Sequence, residues 1–131
     1  MIHHVQLGAP AGSEAGARRF WRDTLGFEEI PKPPTLATRG GCWFRGSGIE
    51  IHVGIEAGFR PATKAHPGLL VSNLGALAER LQADGHPVTW DDAYPGFRRI
   101  YTADPFGNRL EFLEALDMDS FDVPSVARDR N

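Results

Sequence analysis

Between residues 109 and 115 the chain reads RLEFLEA. In an extended strand successive side chains alternate faces, so Leu110 and Phe112 share one face while Glu111 and Leu113 share the other. The same two-residue period marks the opening IHHVQLG, where Val5 and Leu7 face one way with His3, and His4 faces the other way with Gln6. Strands are predicted at about 2–8, near FEEI (27–30), at 41–46 and 48–55, at 66–72, and over PVTWDD, FRRIYTAD and NRLEFLEA. Two stretches change to a helical period. SEAGARRFWRDTLGF predicts a helix with Ser13 as N-cap and Gly26 as its C-terminal signal. LGALAERLQADG predicts another, with Leu74, Leu77 and Leu81 as a single apolar stripe. PKPP (31–34) cannot continue a central strand.

The order is therefore β-α-β-β-β, twice. His4 and His66 stand 62 residues apart, Gly26 and Gly85 stand 59 apart, and the segments at Glu50 and Glu111 stand 61 apart. An offset held this closely across three elements indicates a repeat of about 60 residues. The expected division is a first module at 1–55, a linker at 56–65, a second module at 66–114 and a tail at 115–131.

Of 131 residues, 41% are hydrophobic and 24% charged, which suits a soluble globular domain. A net charge of −3 gives no reason to expect nucleic-acid binding. No run approaches the ~20 apolar residues that span a bilayer, and MIHHVQL lacks the basic and apolar regions of a signal peptide. Cys42 is the single cysteine, which excludes an intrachain disulfide and fits a reducing, cytoplasmic setting; it is expected as a small packed residue.

Duplication puts chemistry on the polar strand faces. Each half offers a His in its first strand and a Glu in its last: His4 and Glu50, His66 and Glu111. A lone strand Glu is usually solvated and a lone His usually packing. Four such residues at matching places of a repeat point instead to a site for a divalent Zn, Ni, Mn, Co or Fe ion. His3 is expected on the far face from His4, and His86 in an exposed turn. His52 shares the face of Glu50 and stands as ligand, supporting partner or proton carrier.

The openings I-H-H-V-Q-L and H-P-G-L-L-V, the helix end F-W-R-D-T-L-G-F and above all D-P-F-G-N-R-L-E-F (104–112) resemble the vicinal oxygen chelate superfamily of glyoxalases, bleomycin-resistance proteins and dioxygenases. The resemblance covers roughly 2–114. It implies an α+β fold of two paired βαβββ modules whose mixed sheets curl into a cup, with helices on the outer face. It implies a divalent metal on His4, Glu50, His66 and Glu111, and a homodimer. The expected activity is lyase, isomerase or dioxygenase chemistry on a small oxygen-chelating molecule, with Glu50, Glu111 or His52 as general base. Arg45 and Arg99 are expected to meet substrate charge, with Arg60, Lys64 and Arg98 as further cations, and Trp43 and Tyr101 to wall the site, with Trp90 and Phe59 as further aromatics. The alternative is a protein that sequesters a small molecule or antibiotic without chemistry.

Overall fold

The computed structural model describes residues 1–117, so most of the tail expected from 115 lies outside the described residues. Its strands are β1 (His4–Ala9), β2 (Glu28–Ile30), β3 (Cys42–Gly46), β4 (Ile49–Ile55), β5 (Gly68–Leu70), β6 (Thr89–Asp91), β7 (Phe97–Ala103) and β8 (Arg109–Ala115). They form two four-stranded mixed sheets, ordered β1-β4-β3-β2 and β5-β8-β7-β6. In each, the first strand lies parallel to the last and the others pair antiparallel. This is the expected α+β architecture of two curled βαβββ units.

The alternation explains the layers. Leu7, Phe44, Ile51, Val53, Leu69, Ile100, Leu110 and Phe112 turn away from the polar faces and are buried. They join Phe20, Trp21, Leu25 and Phe27 of the first unit with Leu74, Leu77 and Leu81 of the second in one hydrophobic core. Burial of this apolar surface is the main force that closes the sheets onto their helices. Cys42 is buried in this core, as its packed reading expects.

The first helix differs from expectation. Only Glu14–Ala17 (α1) is α-helical, and Arg18–Thr24 continues as a π-helical segment in which Leu25 N–H donates to Phe20 C=O at 2.9 Å. The buried residues here are Phe20, Trp21, Thr24 and Leu25, so two adjacent pairs recur every four residues. Ser13 occupies the N-cap place, but its hydroxyl makes no capping bond. Gly26 and Gly85 close their helices with φ of 79° and 83°, a conformation that costs glycine little. A short helix α2 (Pro34–Ala37), opened by its prolines, follows β2. The second helix, α3 (Leu74–Ala83), is capped by the Asn73 side chain. β5 is shorter than 66–72 and begins after His66 and Pro67.

Two polar links position the sheets. Glu14 accepts the Gly41 N–H at 2.8 Å, which steers the chain from α2 into β3. That bond is the main reason the Glu14 carboxyl titrates below its ordinary 4.5. A carboxyl depressed by folding stabilises the fold at neutral pH, and this contribution disappears as the pH falls through its folded pKa. Glu14→Gln is expected to cost about 1 kcal/mol at neutral pH and to flatten the acid limb of the stability curve, measured by melts at descending pH.

The second link joins the units. Asp104 accepts the N–H groups of Phe106 and Asn108, both at 2.9 Å, which folds D-P-F-G-N into a tight turn. The Asn108 amide then donates to Asp104 Oδ2 at 2.8 Å and to the Gly8 carbonyl of β1 at 2.9 Å. Its oxygen accepts the Ala62 N–H at 3.0 Å. One buried amide thus ties β8, β1 and the connecting segment together.

Candidate functional site

The polar faces of both sheets carry the residues expected there. In the second sheet Gly68, Glu111, Tyr101 and Thr89 lie side by side across β5, β8, β7 and β6. Glu111 is only 8% exposed, so it is not a solvated strand residue. Its Oε1 lies 2.8 Å from His66 Nε2, and its Oε2 accepts from Arg99 Nη1 at 3.2 Å. Arg99 also binds Asp91 at 3.0 Å, and its guanidinium lies 5.1 Å from the centre of the Tyr101 ring. Tyr101 is flanked further by Arg109 at 4.1 Å and meets His66 edge-on. His66 commits its Nδ1 to the Lys64 carbonyl at 2.7 Å, which turns Nε2 toward Glu111.

The first sheet holds a matching group. His52 is 4% exposed, and its Nε2 lies 2.9 Å from Glu50 Oε1. Arg45 donates to Glu50 Oε2 at 3.3 Å and also faces Glu28. Trp43 and His4 sandwich His52, with ring centres 3.9 and 4.0 Å away and planes 6° and 11° from parallel. The bond from His52 holds the Glu50 carboxyl below its ordinary range. Burial lowers the His52 pKa, although the Glu50 carboxylate pulls it the other way. The pair therefore stands at neutral pH as a carboxylate and a neutral imidazole whose Nε2–H donates to it.

Each sheet thus presents a His–Glu pair, an arginine on the carboxylate and an aromatic ring beside the imidazole. Glu50, His52, Arg45 and Trp43 gather in the first, and Glu111, His66, Arg99 and Tyr101 in the second. The repeat is not exact in depth. Glu50 N–H donates to the His3 carbonyl, whereas Glu111 N–H donates to that of Pro67. His3 therefore matches Pro67, and His4, paired with Glu50, matches Gly68. The offset in the first strands is 64, not 62, so His4 stands two residues further along its strand than His66. Both positions keep the same face because the strand period is two.

Other expected residues are placed as follows. His3 precedes β1 and escapes its alternation: its Nδ1 lies 2.9 Å from that of His4, and its Nε2 comes within 4.0 Å of Glu50. His86 is half-buried, edge-on to Phe20 at 4.8 Å, because the end of α3 docks beside the π-helical segment. There Thr24 donates to Asp84 at 2.6 Å and Arg80 to the Thr24 carbonyl at 3.1 Å. Arg98 lies over Trp90 and beside Glu114, away from the polar face. Arg60 and Lys64 are exposed, while Phe59 packs toward Gly8.

The imidazole and carboxylate donors suit a divalent ion in kind. His66 also has the arrangement of a metal-binding histidine, with one nitrogen fixed by a backbone carbonyl and the other facing a carboxylate. Within one chain, however, no group of three or more His, Cys, Asp or Glu that could hold a metal ion is found among the described residues.

Comparison with known proteins agrees with the fold. The chain resembles a glyoxalase family protein from Bacillus anthracis at 48% identity and a TM-score of 0.85, over 88% of this chain and 94% of that one. FosX, a fosfomycin resistance protein from Listeria monocytogenes, shares the fold at 17% identity and a TM-score of 0.72, over 92% and 98% of the two chains. So does TnmS3, an antibiotic-binding protein from Streptomyces, at 18% identity and a TM-score of 0.69, over 88% and 95%. No curated protein matches. The family model of the Glyoxalase/Bleomycin resistance protein/Dioxygenase superfamily matches residues 1–112, and the chain belongs to that superfamily.

Proposed function

We propose that this chain is a metal-dependent enzyme acting on a small molecule that chelates through neighbouring oxygens, and that it works as a homodimer in a reducing cytoplasm. The observation that carries this reading is the His66–Glu111 pair: a buried carboxylate 2.8 Å from an imidazole nitrogen whose partner nitrogen is fixed by a backbone carbonyl. His4 and Glu50 of the first sheet supply the other half of the donor set. No group of three or more such donors is found within one chain among the described residues, and in this proposal the complete site joins the first sheet of one chain to the second sheet of another. A divalent ion held by these residues would supply Lewis-acid stabilisation of negative charge on substrate oxygen.

The chain's own residues do the rest. His52, neutral and bonded through Nε2, keeps its Nδ1 lone pair for a proton, and Glu50 stabilises the imidazolium that results. Trp43 and His4 hold the ring flat in one orientation. Arg99 aims the Glu111 carboxylate, and Arg45 aims that of Glu50. Tyr101 and Trp43 offer apolar walls that exclude water. No helix among the described residues is long and apolar enough to cross a membrane.

The test is metal analysis of protein purified without chelator and then offered Ni, Mn, Zn or Fe. One ion per chain is expected for the wild type, with loss in His4→Ala and Glu111→Gln. A wild type that keeps none sinks the enzyme and leaves a protein that sequesters a small molecule without chemistry; TnmS3, which shares the fold, is an antibiotic-binding protein.

A further inference from the structure

The arginines on the polar faces are already spoken for. Arg45 faces Glu28 and Glu50, and Arg99 binds Asp91 and Glu111, so each guanidinium meets two carboxylates. A substrate anion approaching either finds its charge largely compensated. Free positive charge lies elsewhere.

A cavity of about 190 Å³ opens where the connection carrying α2 folds over the end of β4. Its lining includes Gln6, Lys32, Arg39, Trp43 and Gly54, with two cations and no carboxylate, in a chain whose net charge is −3. Among the described residues neither Lys32 nor Arg39 is in an ion pair. The Lys32 ammonium is tethered by donating to the Gly40 carbonyl. Glu14 acts on Lys32 through space but makes no ion pair with it, its carboxylate accepting the Gly41 N–H. Gln6 lies across Gly54, and a Cβ there would collide with the Gln6 amide nitrogen, so glycine is what lets that amide lie flat in the cavity.

The cavity shares a wall with the candidate centre. Trp43 lines it and also stacks on His52, which bonds Glu50. In the sheet, Gln6 is level with His52, and Gly54 lies two residues beyond it on the same face. A molecule whose reactive oxygens lie beside His52 and Glu50 thus has a cationic recess one indole away.

We propose that Lys32 and Arg39, with Gln6, form an anion subsite that seats a carboxylate or phosphonate group borne by the substrate. This rests on the cup being where substrate is turned over and names the substrate class: a small, anionic, oxygen-chelating molecule. Both cations present exposed or half-exposed heads, so binding weakens as salt rises.

The test uses chelator-treated full-length protein, so that it reads the subsite without the metal. The probes are methylphosphonate and glycolate, with inorganic phosphate as free ion and dimethyl methylphosphonate as neutral counterpart. The indole N–H signal of Trp43, assigned with Trp43→Phe, is followed by NMR, while that of core Trp21 serves as the internal control. Methylphosphonate and glycolate are expected to shift Trp43 saturably, and Lys32→Ala/Arg39→Ala to weaken binding by about tenfold or more. Gly54→Ala, which displaces Gln6 but keeps both charges, is expected to weaken it less. The proposal is overturned if the double variant binds as well as wild type, or if the neutral ester shifts Trp43 equally. It is also overturned if inorganic phosphate alone binds, because the recess then takes a free ion and not a substrate group. Failure here leaves the metal result untouched, and failure to retain metal leaves this titration readable.

Discussion

Asn108→Ala is expected to lower the unfolding free energy by about 3 kcal/mol, because each of three buried partners left without its bond costs about 1 kcal/mol or more. The amide is 2% exposed, and its two N–H groups and its oxygen are all used, on Asp104, Gly8 and Ala62. Cutting it back leaves a β1 carbonyl and a connecting-segment N–H unmet, and removes one donor from the Asp104 carboxyl, whose pKa burial already pushes above the usual carboxylate range. The loss should appear as a fall in Tm of about 10 °C. An Asn108→Asp variant restores the acceptor for Ala62 but not the donors, and sets a second carboxylate against Asp104; it is expected to fare no better. Denaturant and thermal melts check both. A shift under about 2 °C for Asn108→Ala would show that the units are held by apolar contact alone.

The second large effect concerns the division of the site between sheets. A chain carrying His66→Ala and Glu111→Gln lacks the second half, and one carrying His4→Ala and Glu50→Gln lacks the first. Each alone is expected to hold no metal. Mixed in equal amounts and allowed to exchange subunits, half the dimers pair one chain of each kind, and each of those has one intact site. Metal should return to about a quarter of the wild-type amount per chain, as twofold symmetry requires. If one chain encloses its own site, mixing restores nothing. Circular dichroism of each variant separates loss of ligands from loss of fold.

Much of this was legible because strand alternation is local. Leu110 and Phe112 had to face away from Glu111, and the core they enter shields that carboxylate's own strand. The leucine stripe of α3 was equally plain, since Leu74, Leu77 and Leu81 keep the ordinary helical period. The first helix was less so, because its buried pairs follow a four-residue pitch that a 3.6-residue template reads as an ordinary helix. Which imidazole meets Glu50 was hidden for a different reason. A shift of two residues along a strand preserves the face, so counting from His4 to His66 could not reveal the extra step or show that His52 makes the bond. Lys32 and Arg39 escaped notice because PKPP read only as a break between strands. Their convergence depends on how the 31–41 connection folds back over β4, and that is a tertiary fact. The clasp at Asn108 likewise joins positions 100 residues apart.

The unequal depth of the two histidines has a consequence for how a substrate could sit. Were His4 and His66 at the same level, a centre joined from the two sheets would have donors related by a near-twofold rotation, and a flat substrate could lie in it either way round. The displacement of two residues removes that equivalence: on one side His4 leans on the His52–Trp43 stack, and on the other His66 stands before its strand, against the edge of Tyr101. In the site proposed above, a bound molecule would meet two different walls and so have one preferred seating of two. The asymmetry comes from a register slip that leaves every side chain on its proper face.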